Sequence, residues 1–232
     1  MSRFFRLSLC LIGLTIFVSS VSVTEAKAQN ILGEILRRMD VNNKSLQSLK
    51  ADVTMVKTDS TLGVSDTYTG VTSYLPKTNK RVMYARIDWI KPRQEYLTVI
   101  GDDFEMYSPK KNLVYYGKAQ KAKDNSKTGG VLIFMSMSKE QLKANYAVVY
   151  IGEEQISGGA KTWHLQLTPK VATTYKTAEI WVDGDGMPRQ AKINENNNDS
   201  TTVLLANIQK NVTLKGEIFK LKYPGSVVKQ KV

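Results

Sequence analysis

Alternation of apolar and polar side chains begins at Leu49-Lys50-Ala51-Asp52-Val53-Thr54-Met55. In an extended strand, this alternation places the apolar residues on one face and the polar residues on the other. Segments of the same kind follow at 67–75, 80–89, 95–100, 104–107 and 113–117, and short turns rich in Pro, Gly, Asn or Asp separate them. Strands in series with tight turns predict an antiparallel meander.

On the N-terminal side of this strand, the apolar residues follow a helical period. The segment 30–44 has an apolar stripe with charged residues between its members, and the stripe consists of Ile31, Leu32, Ile35, Leu36 and Met39. This spacing predicts one amphipathic helix, whose apolar stripe must cover another element of the fold.

The first residues have the pattern of an export signal. Two arginines precede an apolar run at 7–23, and Thr24-Glu25-Ala26-Lys27-Ala28 ends in small residues at the positions of a cleavage site. We therefore predict a signal peptide at 1–28 and a single domain at 29–232. The alternative is an uncleaved anchor, but the run is near the lower limit for a membrane span. Cys10 lies inside the run and leaves with the signal.

The meander is interrupted before it resumes. A polar, Lys-rich loop at 118–130 precedes the apolar run Val131-Leu132-Ile133-Phe134-Met135, and Ser138-Lys139-Glu140-Gln141 matches a capping box. We predict short helices at about 131–136 and 139–145. Further strands are predicted at 147–151, 162–167, 175–182, 189–195, 201–208 and near 219–221. A sheet of ten or more strands usually curls or closes, and helices on its concave side can leave an apolar cavity.

Composition argues against several kinds of chemistry. The chain has 33 Lys+Arg against 21 Asp+Glu, a net charge of +12, one Cys and one His. We predict no metal, no cofactor and no catalytic residue, and place His164 as a strand side chain at a surface. The segment Asp183-Gly184-Asp185-Gly186 is a hairpin turn, since no Glu follows at the spacing of a calcium loop. An exported basic protein rarely meets nucleic acid, so the charge favours anionic headgroups or no specific partner.

A set of motifs in a fixed order resembles the periplasmic outer-membrane lipoprotein carrier family (LolA-type). The resemblance covers nearly the whole chain after residue 28, and it depends on Pro92, Gly101, Tyr107-Ser108-Pro109, the hairpin Ile180-Trp181-Val182-Asp183-Gly184-Asp185-Gly186, Asp199-Ser200-Thr201-Thr202, Leu205-Ala206-Asn207-Ile208, Phe219 and Pro224-Gly225. One departure is Leu75-Pro76, where the family's carriers have an Arg-Pro step whose Arg holds a lid closed. Arg81 or Arg86 could serve as that lid latch instead.

The resemblance implies a fold, a function and a set of partners. The fold would be mainly β with helices: an incomplete antiparallel β-barrel (half-barrel) of about 10–12 strands, covered by an N-terminal helix and a short helical lid. The function would be to receive acylated lipoproteins or lipids from an inner-membrane lipoprotein-releasing transporter and to pass them to an outer-membrane acceptor. Such a carrier would be a periplasmic monomer with transient membrane contact and no enzyme activity. A lipid or lipoprotein sensor on the same fold is the alternative, and an enzyme is disfavoured.

The expected acyl-binding cavity combines apolar residues of the strands and of the insertion. Methionine suits a wall that must adapt to cargo and release it. The predicted lining residues are Met55, Met83, Trp89, Leu97, Val99, Met106, Leu132, Phe134, Met135 and Trp181.

Overall fold

The computed structural model describes residues 21–118 and 137–232, with side chains from residue 28 onward. The helix predicted at 131–136 therefore lies outside the described residues. Within them, α1 spans Val21–Ser45 and α2 spans Lys139–Asn145. Neither helix is long and apolar enough to cross a membrane.

The second helix begins at the predicted capping box. The hydroxyl of Ser138 accepts from the Gln141 amide at 3.2 Å, and the Gln141 side chain accepts from the Ser138 amide at 2.9 Å. These two bonds satisfy amides that have no partner within the helix, which explains why α2 begins at Lys139.

The described residues form one twelve-stranded sheet that does not close. Its strands are β1 Leu49–Asp59, β2 Val64–Leu75, β3 Tyr84–Lys91, β4 Glu95–Ile100, β5 Asp103–Ser108, β6 Leu113–Lys118, β7 Tyr146–Gln155, β8 Lys161–Pro169, β9 Tyr175–Val182, β10 Pro188–Glu195, β11 Ser200–Lys210 and β12 Val228–Lys231. Their spatial order is β12-β6-β5-β4-β3-β2-β1-β11-β10-β9-β8-β7. All neighbours are antiparallel except β12 and β6. The predicted class, a mainly β open barrel with helices, is confirmed.

One prediction about the strands is wrong, and one strand was not predicted. The segment predicted as a strand near 219–221 overlaps the end of a single 3-10 turn, Gly216–Phe219, and no ladder includes it. The chain ends instead in β12, whose sequence Val-Lys-Gln-Lys has no apolar alternation. Its conformation comes from parallel pairing with β6 and not from a local pattern.

The sheet has an inner and an outer face. The inner face bears the main hydrophobic core, in which Ile35, Leu36 and Met39 of α1 join alternate residues of the strands, such as Val53 and Ile180. Because successive strand residues point to opposite faces, the intervening residues form the outer face.

The C-terminal strap, which we define as residues 212–232, packs on the outer face of β3 to β6 and ends in β12 at the edge of the sheet. Phe219 in the strap is fully buried and packs on Tyr84, with ring centroids 5.4 Å apart. Tyr223 packs on Tyr107 at 5.6 Å, and the Arg86 guanidinium donates to the Ile218 carbonyl. The strap thus builds a second, smaller apolar cluster on the side of the sheet opposite α1.

Candidate functional site

The inner face of β1 to β5 is a continuous apolar surface built by the strand register. Met55 lies opposite Tyr68, and Leu97 lies opposite both Ile87 and Met106. Directly opposed residues in antiparallel strands have neighbouring side chains. The pairing therefore joins apolar residues from five strands into one surface.

A glycine allows the bulkiest of these side chains to sit in the surface. Gly70 lies opposite Trp89, and a Cβ at Gly70 would stand 2.2 Å from the Asp88 carbonyl oxygen. The Trp89 ring packs edge-on against Tyr68, with centroids 6.0 Å apart. This close approach of β2 and β3 is available only to a residue without a side chain.

Burial divides this surface into a base and a more accessible part. Met55, Trp89 and Leu97 are 3 to 6% exposed. Val99 and Met106 are half-buried and pack against the same core. A side chain that retains some access to solvent can contact an incoming ligand without a rearrangement of the base.

Helix α1 is fixed over the other half of the inner face by the β9–β10 turn. The Arg38 guanidinium donates to the Gly184 carbonyl at 2.8 Å, and the Asn42 amide donates to the Met187 sulfur at 3.4 Å. Gly186 has a φ of +83° and lies directly against the backbone of α1. The hairpin turn predicted at Asp183-Gly184-Asp185-Gly186 thus forms and also docks the helix.

Tyrosine hydroxyls are polar groups on the half of the inner face that α1 covers. The Tyr146 and Tyr175 hydroxyls lie 2.7 Å apart. Burial, followed by the hydrogen bond to Tyr146, raises the pKa of Tyr175 well above its ordinary value. Burial and the nearby Glu153 carboxylate also raise the pKa of Tyr150. The phenols of Tyr150 and Tyr175 therefore stay neutral at physiological pH, and this part of the inner face can meet an uncharged apolar ligand.

The family model for the outer membrane lipoprotein carrier protein LolA matches residues 44–222. The chain belongs to the LolA family. The resemblance drawn from the sequence motifs is therefore confirmed. No curated protein matches the chain by sequence.

Solved structures of low sequence identity are similar to this chain, and the two with a TM-score of 0.55 share its fold. An uncharacterized conserved protein from Thermus thermophilus is 12% identical, with 87% of this chain and 99% of that chain covered and a TM-score of 0.55. MucB is 13% identical, with 88% of this chain and 66% of the MucB chain covered and a TM-score of 0.55. An outer membrane lipoprotein-sorting protein domain from Vibrio parahaemolyticus is 13% identical, with 80% of this chain and 94% of that domain covered and a TM-score of 0.45.

The LolA-type open barrel brings together half of the residues predicted to line a cavity. The inner face holds the predicted residues Met55, Trp89, Leu97, Val99 and Met106. Sequence reasoning missed three neighbours on that face, Tyr68, Ile87 and Phe104, which the alternation within each strand could have identified. Contact of this surface with acyl chains stays a prediction.

Four other predicted residues cannot be placed on this surface. Leu132, Phe134 and Met135 lie outside the described residues. Met83 is half-buried and precedes β3, where its carbonyl accepts from the Gly101 amide at 2.8 Å.

Trp181 belongs to the outer face, so its assignment to the cavity is wrong. It alternates with Ile180 and Val182, which are both in the inner core, and its indole stacks on His164 with centroids 4.3 Å apart. Its indole N–H donates to Glu154 at 2.7 Å. The period of two in β9 already placed Trp181 and its two apolar neighbours on opposite faces.

The two candidate latch residues also have other contacts. Arg86 is on the outer face, where it pairs with Asp88 at 2.6 Å and holds the strap through Ile218. Its role as a lid latch stays a prediction. The Arg81 guanidinium donates to the Pro76 carbonyl at 3.2 Å. This contact ties it to the end of β2, and its role as a latch stays a prediction.

His164 is buried and not a surface side chain, which corrects the sequence prediction. Its Nδ1 lies 2.9 Å from a Glu154 oxygen and its Nε2 lies 2.8 Å from a Glu179 oxygen. Hydrogen bonds from Trp181 and His164 lower the pKa of Glu154. The two carboxylates hold opposite edges of the ring and do not converge on one point. In the part of the chain that the structure describes, no group of three or more His, Cys, Asp or Glu side chains is arranged so that it could hold a metal ion.

Proposed function

We propose that the protein is a periplasmic carrier that shields the acyl chains of lipoproteins on its inner face and transfers them from the inner to the outer membrane. The observation that supports this function best is the continuous apolar surface of β1 to β5 in a member of the LolA family. Each methylene removed from water contributes about 0.8 kcal/mol, so a lipoprotein in an aqueous compartment needs such a cover.

The side chains of this surface suit a ligand that must also leave. Met55 of β1 and Met106 of β5 bring flexible thioethers to opposite ends of the surface, and methionine adapts its shape to different contacts. Aromatic side chains at Tyr68 and Trp89 supply a rigid apolar wall beside them. A surface of this kind binds acyl chains through area and not through a precise fit, which allows release to an acceptor of higher affinity.

The donor and the acceptor follow from the direction of transfer. An inner-membrane lipoprotein-releasing transporter would load the carrier, and an outer-membrane acceptor would unload it. We further propose that the protein acts without catalysis, as a monomer. In the Glu154–His164–Glu179 cluster, both ring nitrogens already have carboxylate partners, so we assign no catalytic role to His164.

Titration with a fluorescent fatty-acyl probe tests the proposal on Met106→Asp. Met106 is half-buried, so a carboxylate introduced at this position can reach water in the empty protein, whereas a bound acyl chain would surround it. Burying an unpaired charge costs several kcal/mol, so we expect Met106→Asp to fold and to lose most of its probe affinity.

Val149→Asp is the matched control. Val149 is 51% exposed on the outer face of β7, so the same kind of substitution should leave probe binding unchanged. Equal affinity in Met106→Asp and the unmodified protein would contradict a role of the inner face. Saturable binding without transfer of a lipoprotein between membrane vesicles would favour the sensor over the carrier.

A further inference from the structure

We propose that the C-terminal strap docks the protein onto a membrane surface rich in anionic phospholipids. The inference rests on the proposed function only in that a carrier must meet membranes at both ends of its path. It assigns that contact to a surface on the side of the sheet opposite α1 and names the lipid class that the surface recognises.

The strap has a strong excess of positive charge. Residues 212–232 contain five lysines and one glutamate, and all five lysines are exposed. The turn Pro109–Lys111 between β5 and β6 adds two more exposed lysines. Asn112 connects this turn to the strap, because its side-chain amide donates to the Ser226 carbonyl and its carbonyl accepts from the Val228 amide, both at 3.0 Å. The two basic segments therefore form one surface.

Packing of the strap directs its ammonium groups to solvent. Phe219 is buried and Tyr223 is half-buried against the sheet, whereas Lys220 and Lys222, which alternate with the inward residues, are exposed. The Lys229 ammonium lies 4.9 Å above the Tyr223 ring. The hydrogen bond to Tyr223 raises the pKa of Lys229, so that lysine remains charged. The sheet thus holds an array of cations facing away from the inner face.

Apolar and aromatic groups among the lysines favour a lipid surface over an acidic polypeptide. Ile218 in the strap is 36% exposed, and Tyr116, which pairs with Lys231 across β6 and β12, is 37% exposed. Lysine stems with tyrosine and short aliphatic side chains suit the boundary between phosphate headgroups and acyl chains. Anionic lipids supply the opposite charge at high density.

Vesicle co-sedimentation tests the proposal with the pair Lys220→Glu and Lys222→Glu. The vesicles contain phosphatidylglycerol in phosphatidylcholine, or phosphatidylcholine alone. The unmodified protein should bind only the anionic vesicles, and less as salt is added. Each lysine near an anionic surface is worth about fivefold in affinity, so the double variant should bind at least about 25-fold more weakly.

The control pair changes the net charge by the same amount elsewhere. Lys77 is exposed in the connection between β2 and β3, and Lys161 is exposed at the start of β8, both outside the strap. Lys77→Glu with Lys161→Glu should keep anionic-vesicle affinity within a few fold. An equal loss in both pairs, or no loss in the strap pair, would overturn the proposal. Binding to polyglutamate with no binding to anionic vesicles would overturn it in favour of an acidic protein partner.

Acyl-probe titration separates this inference from the proposed function. The strap variant should bind the fluorescent probe as the unmodified protein does, because the strap and the inner face lie on opposite sides of the sheet. Vesicle docking without acyl binding in the unmodified protein would contradict the carrier and leave the docking surface intact. Acyl binding without vesicle docking would contradict only the docking surface.

Discussion

Replacement of Gly186 by alanine tests how firmly the β9–β10 turn holds α1 over the inner face. Two separate obstacles meet at this position. The backbone has a φ of +83°, a left-handed conformation that costs an L residue about 1–2 kcal/mol. An alanine Cβ would also stand 2.3 Å from the carbonyl carbon and oxygen of Arg38 and 2.6 Å from the Met39 nitrogen.

The second obstacle cannot be relieved by a change of rotamer. The atoms that the Cβ would meet belong to the backbone of α1, so the helix and the turn must separate. Overpacking of this kind costs about 1–3 kcal/mol, and together with the strained φ we expect Gly186→Ala to lower the free energy of unfolding by about 2–5 kcal/mol. The loss should appear in the urea midpoint, with little change in the slope of the transition.

Two other glycines separate the causes. Gly158 has a φ of +87° and open space where its Cβ would be, so Gly158→Ala should show the conformational cost alone. Gly184 lies in the same turn as Gly186, with open space and no positive φ, so Gly184→Ala should be nearly neutral. If Gly186→Ala were no more destabilising than Gly158→Ala, the docking of α1 on this turn would contribute nothing and the argument would fail.

Two more predictions concern the outer face. Phe219→Ala should lower the free energy of unfolding by about 3–5 kcal/mol in urea titrations, because the ring is fully buried against the sheet. Acyl-probe binding should stay unchanged in this variant. A reduced probe affinity would contradict the separation of the two faces. Trp181→Phe removes the hydrogen-bond donor that lowers the pKa of Glu154. A lowered carboxyl pKa stabilises the folded protein above the ordinary pKa of 4.5, and this stabilisation is lost as the pH falls. The stability difference between Trp181→Phe and the unmodified protein should therefore be larger in urea titrations at pH 7 than at pH 3, and a constant difference would contradict this linkage.

Sequence patterns predicted those features of the fold that depend on residues close together in the chain. The capping box at Ser138 and Gln141 predicts the first turn of α2, because the two residues satisfy each other's amides. Alternation predicts that Met55, Leu97 and Met106 occupy the apolar face of their strands. Their arrival on one surface also needs the order of the strands, which an antiparallel meander supplies.

The features that the sequence did not reveal depend on distant partners. β12 has no apolar alternation and exists because β6 offers it a parallel edge. His164 is buried because the register brings Glu154 of β7 and Glu179 of β9 to the two nitrogens of its ring. Neither the spacing of these residues nor their types indicates such a convergence.

The two faces of the sheet divide the demands that a carrier must meet. Shielding acyl chains requires an apolar, uncharged surface, and the inner face provides it with neutral phenols and thioethers. Meeting anionic membranes requires cations, which would be costly beside acyl chains. The strap places its lysines on the opposite side of the sheet, where Phe219 and Tyr223 fix them without contact with the inner core. Because the strands separate these surfaces, a change in either one should alter one activity and spare the other.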